Sequence, residues 1–262
     1  MNNLRISLIQ SDIVWEQKEE NLDNYYQLIS SLKGKSDLVI FPELFSTGFS
    51  MNVNELAETN TGNTIQTVKN WSTELNIAIS GSFLAKDSDN QIYNRSFFVT
   101  PEGKSYFSDK RHLFRMGEEN NYYIPGKTYS IISYKGWNIR LIVCYDLRFP
   151  VWIRNKNNAY DLLICSANWP KARANVWNTL LKARAIENLC YVCGVNRIGE
   201  DANGIYHQGD SALIDYKGNV IGGTEENQIA VKTFTIEKEK LSDFRTKFPA
   251  WKDADNFIIS EI

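Results

Sequence analysis

The chain has 262 residues, with 29 Lys and Arg against 31 Asp and Glu and a formal net charge of -2. This near-neutral charge argues against a nucleic-acid-binding protein that works by neutralising phosphates, and no apolar run approaches the roughly 20 residues of a membrane helix. A hydrophobic share of 43% and a charged share of 23% are typical of globular proteins, which excludes disorder, collagen and coiled coil as the main state.

Short apolar runs that are rich in β-branched residues predict eight strands. In chain order the runs cover residues 5–10, 37–41, 77–83, 95–100, 138–143, 161–165, 190–195 and 211–215. Helical spacing of apolar residues predicts three helices, which contain Leu22, Tyr25, Tyr26, Ile29 and Leu32, then Ile65, Val68 and Leu75, then Val176, Leu180, Leu181 and Leu189. Glycine-containing segments at 101–104 and 216–219 predict hairpin turns.

The order of these elements repeats along the chain. Each half runs strand, helix, strand, helix, strand and then a hairpin, although residue identity between the halves is weak. Two such βαβαββ halves would pack as two sheets with helices outside, an α/β four-layer α-β-β-α sandwich. No linker separates the halves, so we expect one domain over residues 1–262. The tail 241–262 contains Phe248, Trp251 and Phe257 and is expected to dock on the body or on a partner subunit.

The N-terminus and the cysteines indicate the cytoplasm. The first residues contain no basic stretch followed by an apolar segment, so no signal peptide is predicted. Four Cys in a chain of this length do not make a disulfide scaffold. Three of them, Cys144, Cys165 and Cys193, lie in or directly after apolar runs, as buried thiols or a nucleophile would in a reducing compartment.

Several predicted strands end in polar residues that could carry chemistry. In sheets with parallel strands, ligands bind beyond the carboxyl ends of the strands, so Glu43, Cys144, Asp146 and Asn168 are expected near one rim. Glu43 follows an apolar strand, which suits a general base or, alternatively, a helix cap or a salt bridge. Cys144 lies at a strand-to-helix turn, where backbone N–H groups and the helix dipole would lower the thiol pKa of a nucleophile. The alternative is a buried structural Cys.

The remaining polar residues allow fewer chemical roles. Lys110 lies in a polar run and is either an ammonium that stabilises an oxyanion or a solvated loop residue. His112 and His207 are not at strand ends, which argues against a Cys–His enzyme. Cys190 and Cys193 form a C-x-x-C whose thiols face opposite sides of a strand, and no second pair exists to complete a zinc site. The sequence also contains no phosphate-binding or dinucleotide-binding glycine motif, so neither a metal nor a cofactor is expected.

Taken together, three spaced segments resemble the signature segments of the nitrilase superfamily of carbon–nitrogen hydrolases. They are FPELFSTGF around Glu43, DKRHLF around Lys110 and LIVCYDLRFP around Cys144, and SANWP, KARAIENLCYV and GDSALID are also similar to that superfamily. The resemblance implies a four-layer sandwich that is usually paired as a homodimer. It also implies a general base at Glu43, a lysine that stabilises the tetrahedral intermediate at Lys110, and a nucleophile at Cys144.

The resemblance implies two further groups at the site. A fourth carboxylate recurs in the superfamily a few residues before a Pro-Gly pair, and Glu119 fits that place better than Glu118. The backbone N–H of Tyr145 would join Lys110 in holding the oxyanion.

Finer features resemble the omega-amidase branch, namely FSTGFSM, KRHLFRMGEE, CYDLRFPVWIRN and NWPKARANVW. That resemblance implies hydrolysis of the terminal amide of 2-oxoglutaramate or 2-oxosuccinamate. A planar Arg fork suits the carboxylate of such a small-molecule substrate, with Arg173 favoured over Arg148. Four aromatic residues are candidates for either a pocket wall or core packing: Phe45, Phe49, Tyr145 and Trp169. The alternatives are a deaminated glutathione amidase, a carbamoyl-amine hydrolase, a nitrilase or a catalytically silent binding subunit.

Overall fold

A computed structural model describes residues 3–259, and their strands form two six-stranded sheets and a separate two-stranded hairpin. The strands are β1 (Asn3–Gln10), β2 (Leu38–Ile40), β3 (Ala78–Lys86), β4 (Ile92–Val99), β5 (Ser105–Asp109), β6 (Ile131–Tyr134), β7 (Trp137–Val143), β8 (Leu162–Ala167), β9 (Tyr191–Asn196), β10 (Ile198–Glu200), β11 (Tyr206–Gln208), β12 (Ala212–Ile214), β13 (Val220–Gly223) and β14 (Ala230–Glu237). The α-helices are α1 (Lys18–Ile29), α2 (Val53–Leu56), α3 (Asn63–Leu75), α4 (Pro150–Ile153), α5 (Ala174–Asn188) and α6 (Lys238–Lys247). Short 3-10 helices cover Ser30–Leu32, Arg115–Gly117, Glu119–Asn121, Cys144–Arg148, Lys156–Asn158, Lys171–Arg173 and Ala250–Asp253.

The two large sheets have the same strand arrangement, which confirms the predicted repeat. The first sheet has the order β14-β1-β2-β3-β4-β5 and the second, from the opposite edge, β6-β7-β8-β9-β12-β13. In each sheet three parallel strands, β1 to β3 or β7 to β9, are followed by an antiparallel pair. An antiparallel strand from outside the repeat, β14 or β6, completes the other edge.

Alternate side chains of each strand point to opposite faces of its sheet and so pack against different layers. In β2, Leu38 and Ile40 join the apolar cluster between the two sheets, whereas Val39 packs with the helices α1 and α3. In β8, Ile164 likewise faces the other sheet and Leu163 faces α5. Successive side chains of a strand point to opposite faces, so each sheet buries both of its faces. The predicted four-layer α-β-β-α sandwich is therefore confirmed.

The second half departs from the predicted order between β7 and β8. Instead of a long helix, the chain makes the 3-10 helix Cys144–Arg148 and then the four-residue α4, which begins at Pro150. Proline is well suited to the first position of a helix because its missing N–H would have no intrahelical partner there. The short connection begins at Cys144, directly after β7.

The C-terminal segment begins as part of the body of the molecule. The predicted tail from residue 241 actually starts within α6, and its Leu241 is fully buried in the cluster between the sheets. Arg245 donates hydrogen bonds to the carbonyls of Leu189 and Tyr160, which fixes α6 against the second half. Further along, the Phe257 carbonyl accepts a hydrogen bond from Lys156. Residues 260–262 of the predicted tail lie outside the described residues.

None of the helices within residues 3–259 combines the length and the apolar character that crossing a membrane requires. The parallel strands β2, β7 and β8 end on the same side of the sandwich, where Glu43 and Asn168 meet across the two sheets. The candidate site lies at these strand ends.

Candidate active site

Glu43 is fixed where β2 gives way to a tight turn. Its carboxylate Oε2 accepts the backbone N–H of Asn168 at 2.8 Å, and the Asn168 side-chain amide donates to the Glu43 carbonyl at 2.7 Å. Leu44, the next residue, has a left-handed backbone with φ of 47°, which turns the chain sharply away from the strand. The two sheets therefore hold the Glu43 side chain from both sides, and it is only 1% exposed.

Lys110 lies between two carboxylates directly after β5. Its Nζ is 2.8 Å from Glu43 Oε1 and 2.9 Å from Glu119 Oε2, and its side chain is 1% exposed. Burial alone would lower the pKa of Lys110, but the charges of Glu119 and Glu43 outweigh it and hold the pKa well above its usual value. Lys110 is therefore a charged ammonium on an almost wholly buried side chain.

Glu119 is the buried member of the adjacent acidic pair. Its side chain has no exposed surface, and its Oε2 accepts the backbone N–H of Phe114 at 2.6 Å. Burial raises the pKa of Glu119, Lys110 opposes this and Glu43 adds to it, so the pKa lies above its usual value. Glu118 is exposed and has a left-handed backbone. Of the two acids, only Glu119 contacts Lys110.

Asn94, in β4, joins the same cluster, and sequence reasoning missed it. Its Nδ2 donates to Glu43 Oε1 at 2.7 Å and to Glu119 Oε1 at 3.2 Å, so one amide group bridges the two carboxylates. Its Oδ1 accepts the hydroxyl of Ser82 at 3.0 Å, which fixes the orientation of the amide. Lys110 and Asn94 thus close a ring of hydrogen bonds with the two acids.

Cys144 follows β7 in a strained turn. It adopts a left-handed backbone with φ of 43°, a conformation that non-glycine residues rarely adopt outside special turns, and it is 8% exposed. Its Sγ lies 3.8 Å from the Asn168 carbonyl. The expected lowering of the thiol pKa is wrong: burial and the charge of Glu43 raise the pKa of Cys144 well above its usual value, against the opposing effect of Lys110. The resting group is a neutral thiol.

Glu43, Lys110 and Cys144 line one cavity of about 580 Å³. Five other residues that the sequence placed at the site share its wall, namely Phe49, Tyr145, Arg148, Trp169 and Arg173. Phe45 does not, since it packs against Tyr25, Phe41 and Phe97 under the first sheet, and its assignment to the pocket is wrong.

Two other strand-end residues have different surroundings. Asn168 lines the cavity and holds Glu43, as described above. Asp146 is not among the lining residues, and its carboxylate instead accepts hydrogen bonds from the backbone and ring nitrogens of His112 and from the Val143 N–H. It stabilises the turn after Cys144 rather than forming part of the cavity.

Two guanidinium groups in the cavity wall have no acidic partner. Arg148 lies over the ring of Trp169, with 5.2 Å from Cζ to the ring centroid, and Arg173 lies over the ring of Phe114 at 5.4 Å. Neither forms an ion pair with a carboxylate of residues 3–259. Stacking on a ring orients a guanidinium group and leaves its N–H edge free for an anion. The cavity therefore offers two positive groups to a ligand that carries a carboxylate.

The described part of the chain contains no cluster of three or more His, Cys, Asp or Glu side chains that could hold a metal ion. The ionisable groups of the cavity include a thiol, an ammonium group between two carboxylates, two guanidinium groups and the acids Glu16, Glu118 and Asp201. This combination can transfer an acyl group to sulfur and stabilise the oxyanion that forms on the way.

Comparison with known proteins agrees with this geometry. The pattern of the carbon–nitrogen hydrolase family matches residues 5–246. The omega-amidase YafV of Yersinia enterocolitica is 41% identical, over 99% of this chain and 100% of that protein. The 2-oxoglutaramate amidase of Bacillus subtilis is 30% identical, over 95% of this chain and 96% of that protein.

A solved structure extends the similarity to three dimensions. The carbon–nitrogen hydrolase superfamily protein of Xanthomonas campestris, whose active site carries an arsenic adduct, is 42% identical and superposes with a TM-score of 0.96. The match covers 99% of this chain and 100% of that chain. This chain therefore belongs to the carbon–nitrogen hydrolase family, within the nitrilase superfamily, and is a hydrolase of carbon–nitrogen bonds.

Proposed function

We propose that the protein is an omega-amidase, which hydrolyses the terminal amide of 2-oxoglutaramate or 2-oxosuccinamate to the 2-oxo diacid and ammonia. The observation that carries this proposal is the shared cavity of Cys144, the Lys110 cluster and two unpaired arginines, Arg148 and Arg173. The first two supply amide hydrolysis and the arginines supply recognition of a carboxylate. The relatives that are named omega-amidase and 2-oxoglutaramate amidase support the same substrate class.

The reaction begins with proton transfer, because the resting Cys144 is a neutral thiol. Glu43 Oε1 already accepts hydrogen bonds from Lys110 and Asn94, whereas Oε2 accepts only one, from the Asn168 backbone. Oε2 therefore has the capacity to take the thiol proton as sulfur attacks the amide carbon. Moving the proton during the attack avoids a free thiolate, which burial of Cys144 disfavours.

The negative charge of the tetrahedral intermediate develops on the former carbonyl oxygen. The ammonium of Lys110 and the backbone N–H of Tyr145 hold this oxyanion, and removal of one such donor typically costs about 10²–10³ in rate. Lys110 needs no reorganisation to do so, since Glu43 and Glu119 already fix and charge it. Glu119 acts through Lys110, and we assign it a supporting catalytic role.

Ammonia leaves when protonated Glu43 returns its proton to the amide nitrogen and the carbon–nitrogen bond breaks. The product of this step is a thioester on Cys144. Glu43 then removes a proton from water, the resulting hydroxide attacks the thioester, and collapse of the second intermediate releases the acid while the proton returns to sulfur. Each step uses water, side chains of this chain and one backbone N–H group.

The far end of the substrate carries the carboxylate that distinguishes it from a simple amide. Arg173 and Arg148 are positioned on aromatic rings in the cavity wall, where a guanidinium fork can bind a carboxylate through two parallel hydrogen bonds. Trp169 and Phe49 complete the wall around the short carbon chain between the two ends.

Ammonia release from a panel of substrates tests this assignment. The panel comprises 2-oxoglutaramate, 2-oxosuccinamate, deaminated glutathione, a carbamoyl amine and a short nitrile at equal concentrations. We expect kcat/KM to be highest for one of the two 2-oxo acid amides. Turnover of neither would reject the substrate class, and preference for another member of the panel would name the alternative activity.

A further inference from the structure

Trp169 contacts both of the arginines in the cavity wall. The face of its indole lies under the Arg148 guanidinium, with 5.2 Å from Cζ to the ring centroid, and its Nε1–H donates to the Arg173 carbonyl at 2.9 Å. Trp169 is almost wholly buried and lines the cavity with the two arginines. A single ring therefore contacts one arginine with its face and the other with its edge.

The position of Arg173 depends on this contact. Arg173 directly precedes the 15-residue helix α5, whose N-terminal end carries a partial positive charge that does not favour a guanidinium group. A second hydrogen bond, from the Arg173 N–H to the Pro170 carbonyl at 3.0 Å, helps to close the turn that starts at Trp169. The two bonds fix the backbone from which the Arg173 side chain reaches the ring of Phe114.

Asn196, the last residue of β9, fixes the backbone of Trp169. Its Oδ1 accepts the Trp169 N–H at 2.7 Å, and its Nδ2 donates to the Trp169 carbonyl at 3.0 Å and to the Gly209 carbonyl at 2.8 Å. The Asn196 amide thus bonds both backbone groups of Trp169, as a neighbouring strand would. Groups that are fixed in this way before binding hold a ligand at a small ordering cost.

We propose that Trp169 is a positioning residue that sets Arg148 and Arg173 around one substrate carboxylate. Asn196 holds Trp169 in place for this role. This inference rests on the proposed function and adds the residues that make the site selective for an anionic amide. Without the indole N–H, the turn before α5 loosens and the Arg173 fork no longer meets the carboxylate in the geometry of two parallel hydrogen bonds.

The preference for a charged over an uncharged amide tests the inference. The two substrates are 2-oxoglutaramate and its methyl ester, which has the same carbon chain but no carboxylate charge. The Trp169→Phe variant keeps an aromatic face under Arg148 but loses the N–H, and we expect the ratio of the two kcat/KM values to fall about tenfold. Because both substrates are measured on the same protein, a smaller folded fraction does not change this ratio.

A second variant perturbs Trp169 from its backbone. Asn196→Asp keeps the size of the side chain but loses the amide nitrogen that donates to the Trp169 carbonyl, and we expect the same ratio to fall at least about threefold. The matched control is Trp177→Phe. The Nε1 of Trp177 also donates to a carbonyl, that of Asp210 at 2.8 Å, but Trp177 is not among the described residues that line the cavity. This control should keep the ratio of the unmodified enzyme.

The outcomes separate this inference from the function on which it rests. An unchanged ratio in Trp169→Phe or in Asn196→Asp would overturn the inference, as would equal losses in Trp169→Phe and Trp177→Phe. Failure of the unmodified enzyme to hydrolyse any 2-oxo acid amide would instead overturn the proposed function and this inference with it.

Discussion

Replacing Asn94 with leucine would remove the amide that bridges the two buried acids while keeping a side chain of similar size. In the native protein this amide donates at 2.7 Å to Glu43 and at 3.2 Å to Glu119. A hydrogen bond to a charged group contributes about 1.5–3 kcal/mol. Loss of the 3.2 Å bond removes a donor from Glu119, whose pKa burial already holds above its usual value, so the pKa of Glu119 should rise further.

The direction of the displacement follows from what the donor stabilises. An N–H donor favours the ionised carboxylates, so its loss makes protonation easier and moves the acid limb of kcat/KM to higher pH. We also expect kcat at the optimum to fall by about 10–100-fold, because Glu43 loses one of the contacts that orient it. The assay measures ammonia release in a series of buffers between pH 5 and 9. Circular dichroism verifies that the variant is folded.

A milder variant provides the matched comparison. Ser82→Ala removes the hydroxyl that bonds Asn94 Oδ1 but leaves both N–H donors in place. Its acid limb should move in the same direction by a smaller amount. An acid limb that stays in place in a folded Asn94→Leu variant would refute the idea that Asn94 stabilises the ionised form of Glu119.

Three further predictions concern the cavity and the assembly. Arg173→Met and Arg148→Met should each raise KM for 2-oxoglutaramate by about 10–100-fold, because each removes a charged hydrogen bond to the substrate carboxylate. An equal rise in KM for the uncharged propionamide would contradict carboxylate recognition. Glu119→Gln should lower kcat by about 10²-fold because Lys110 loses one of its two counter-charges. Glu118 lines the cavity but does not contact Lys110, so Glu118→Gln should lower kcat much less in the same assay. Equal effects would remove the distinction between the two acids. Light scattering at micromolar concentration should give the mass of a homodimer, and the mass of a single chain would reject that expectation.

Some site residues could be predicted because they follow directly after a predicted strand. Glu43, Cys144 and Asn168 each follow an apolar run, and the carboxyl ends of parallel strands converge on one rim. Asn94 could not be found in this way. It lies within β4, between residues that are only partly buried, and its two acidic partners are 51 and 25 positions away in the chain. Only the folded chain shows that this amide faces two carboxylates.

Helix α6 and the hairpin of β10 and β11 were also missed, for different reasons. The sequence of α6, KEKLSDFRTK, buries a single residue, Leu241, so it has little apolar periodicity to detect. Polar contacts of Arg245 hold it in place instead. Strands β10 and β11 have three residues each, too few to show an alternating pattern.

The thiol pKa shows how a local argument can be overruled by packing. A strand-to-helix turn predicts a lowered pKa for Cys144, yet the helix that follows is a 3-10 helix of five residues, which aligns few peptide dipoles. Burial and the charge of Glu43 act in the opposite direction and exceed the effect of Lys110. As a consequence, the general base must remove the thiol proton in the same step in which the sulfur attacks.

The most direct test of the account is ammonia release from 2-oxoglutaramate by a Cys144→Ala variant whose fold is verified by circular dichroism. The account predicts that turnover falls by at least about 10⁴-fold, since loss of a nucleophile removes the covalent route altogether. Turnover that stays within tenfold of the unmodified enzyme would contradict it, because the reaction would then proceed without the sulfur.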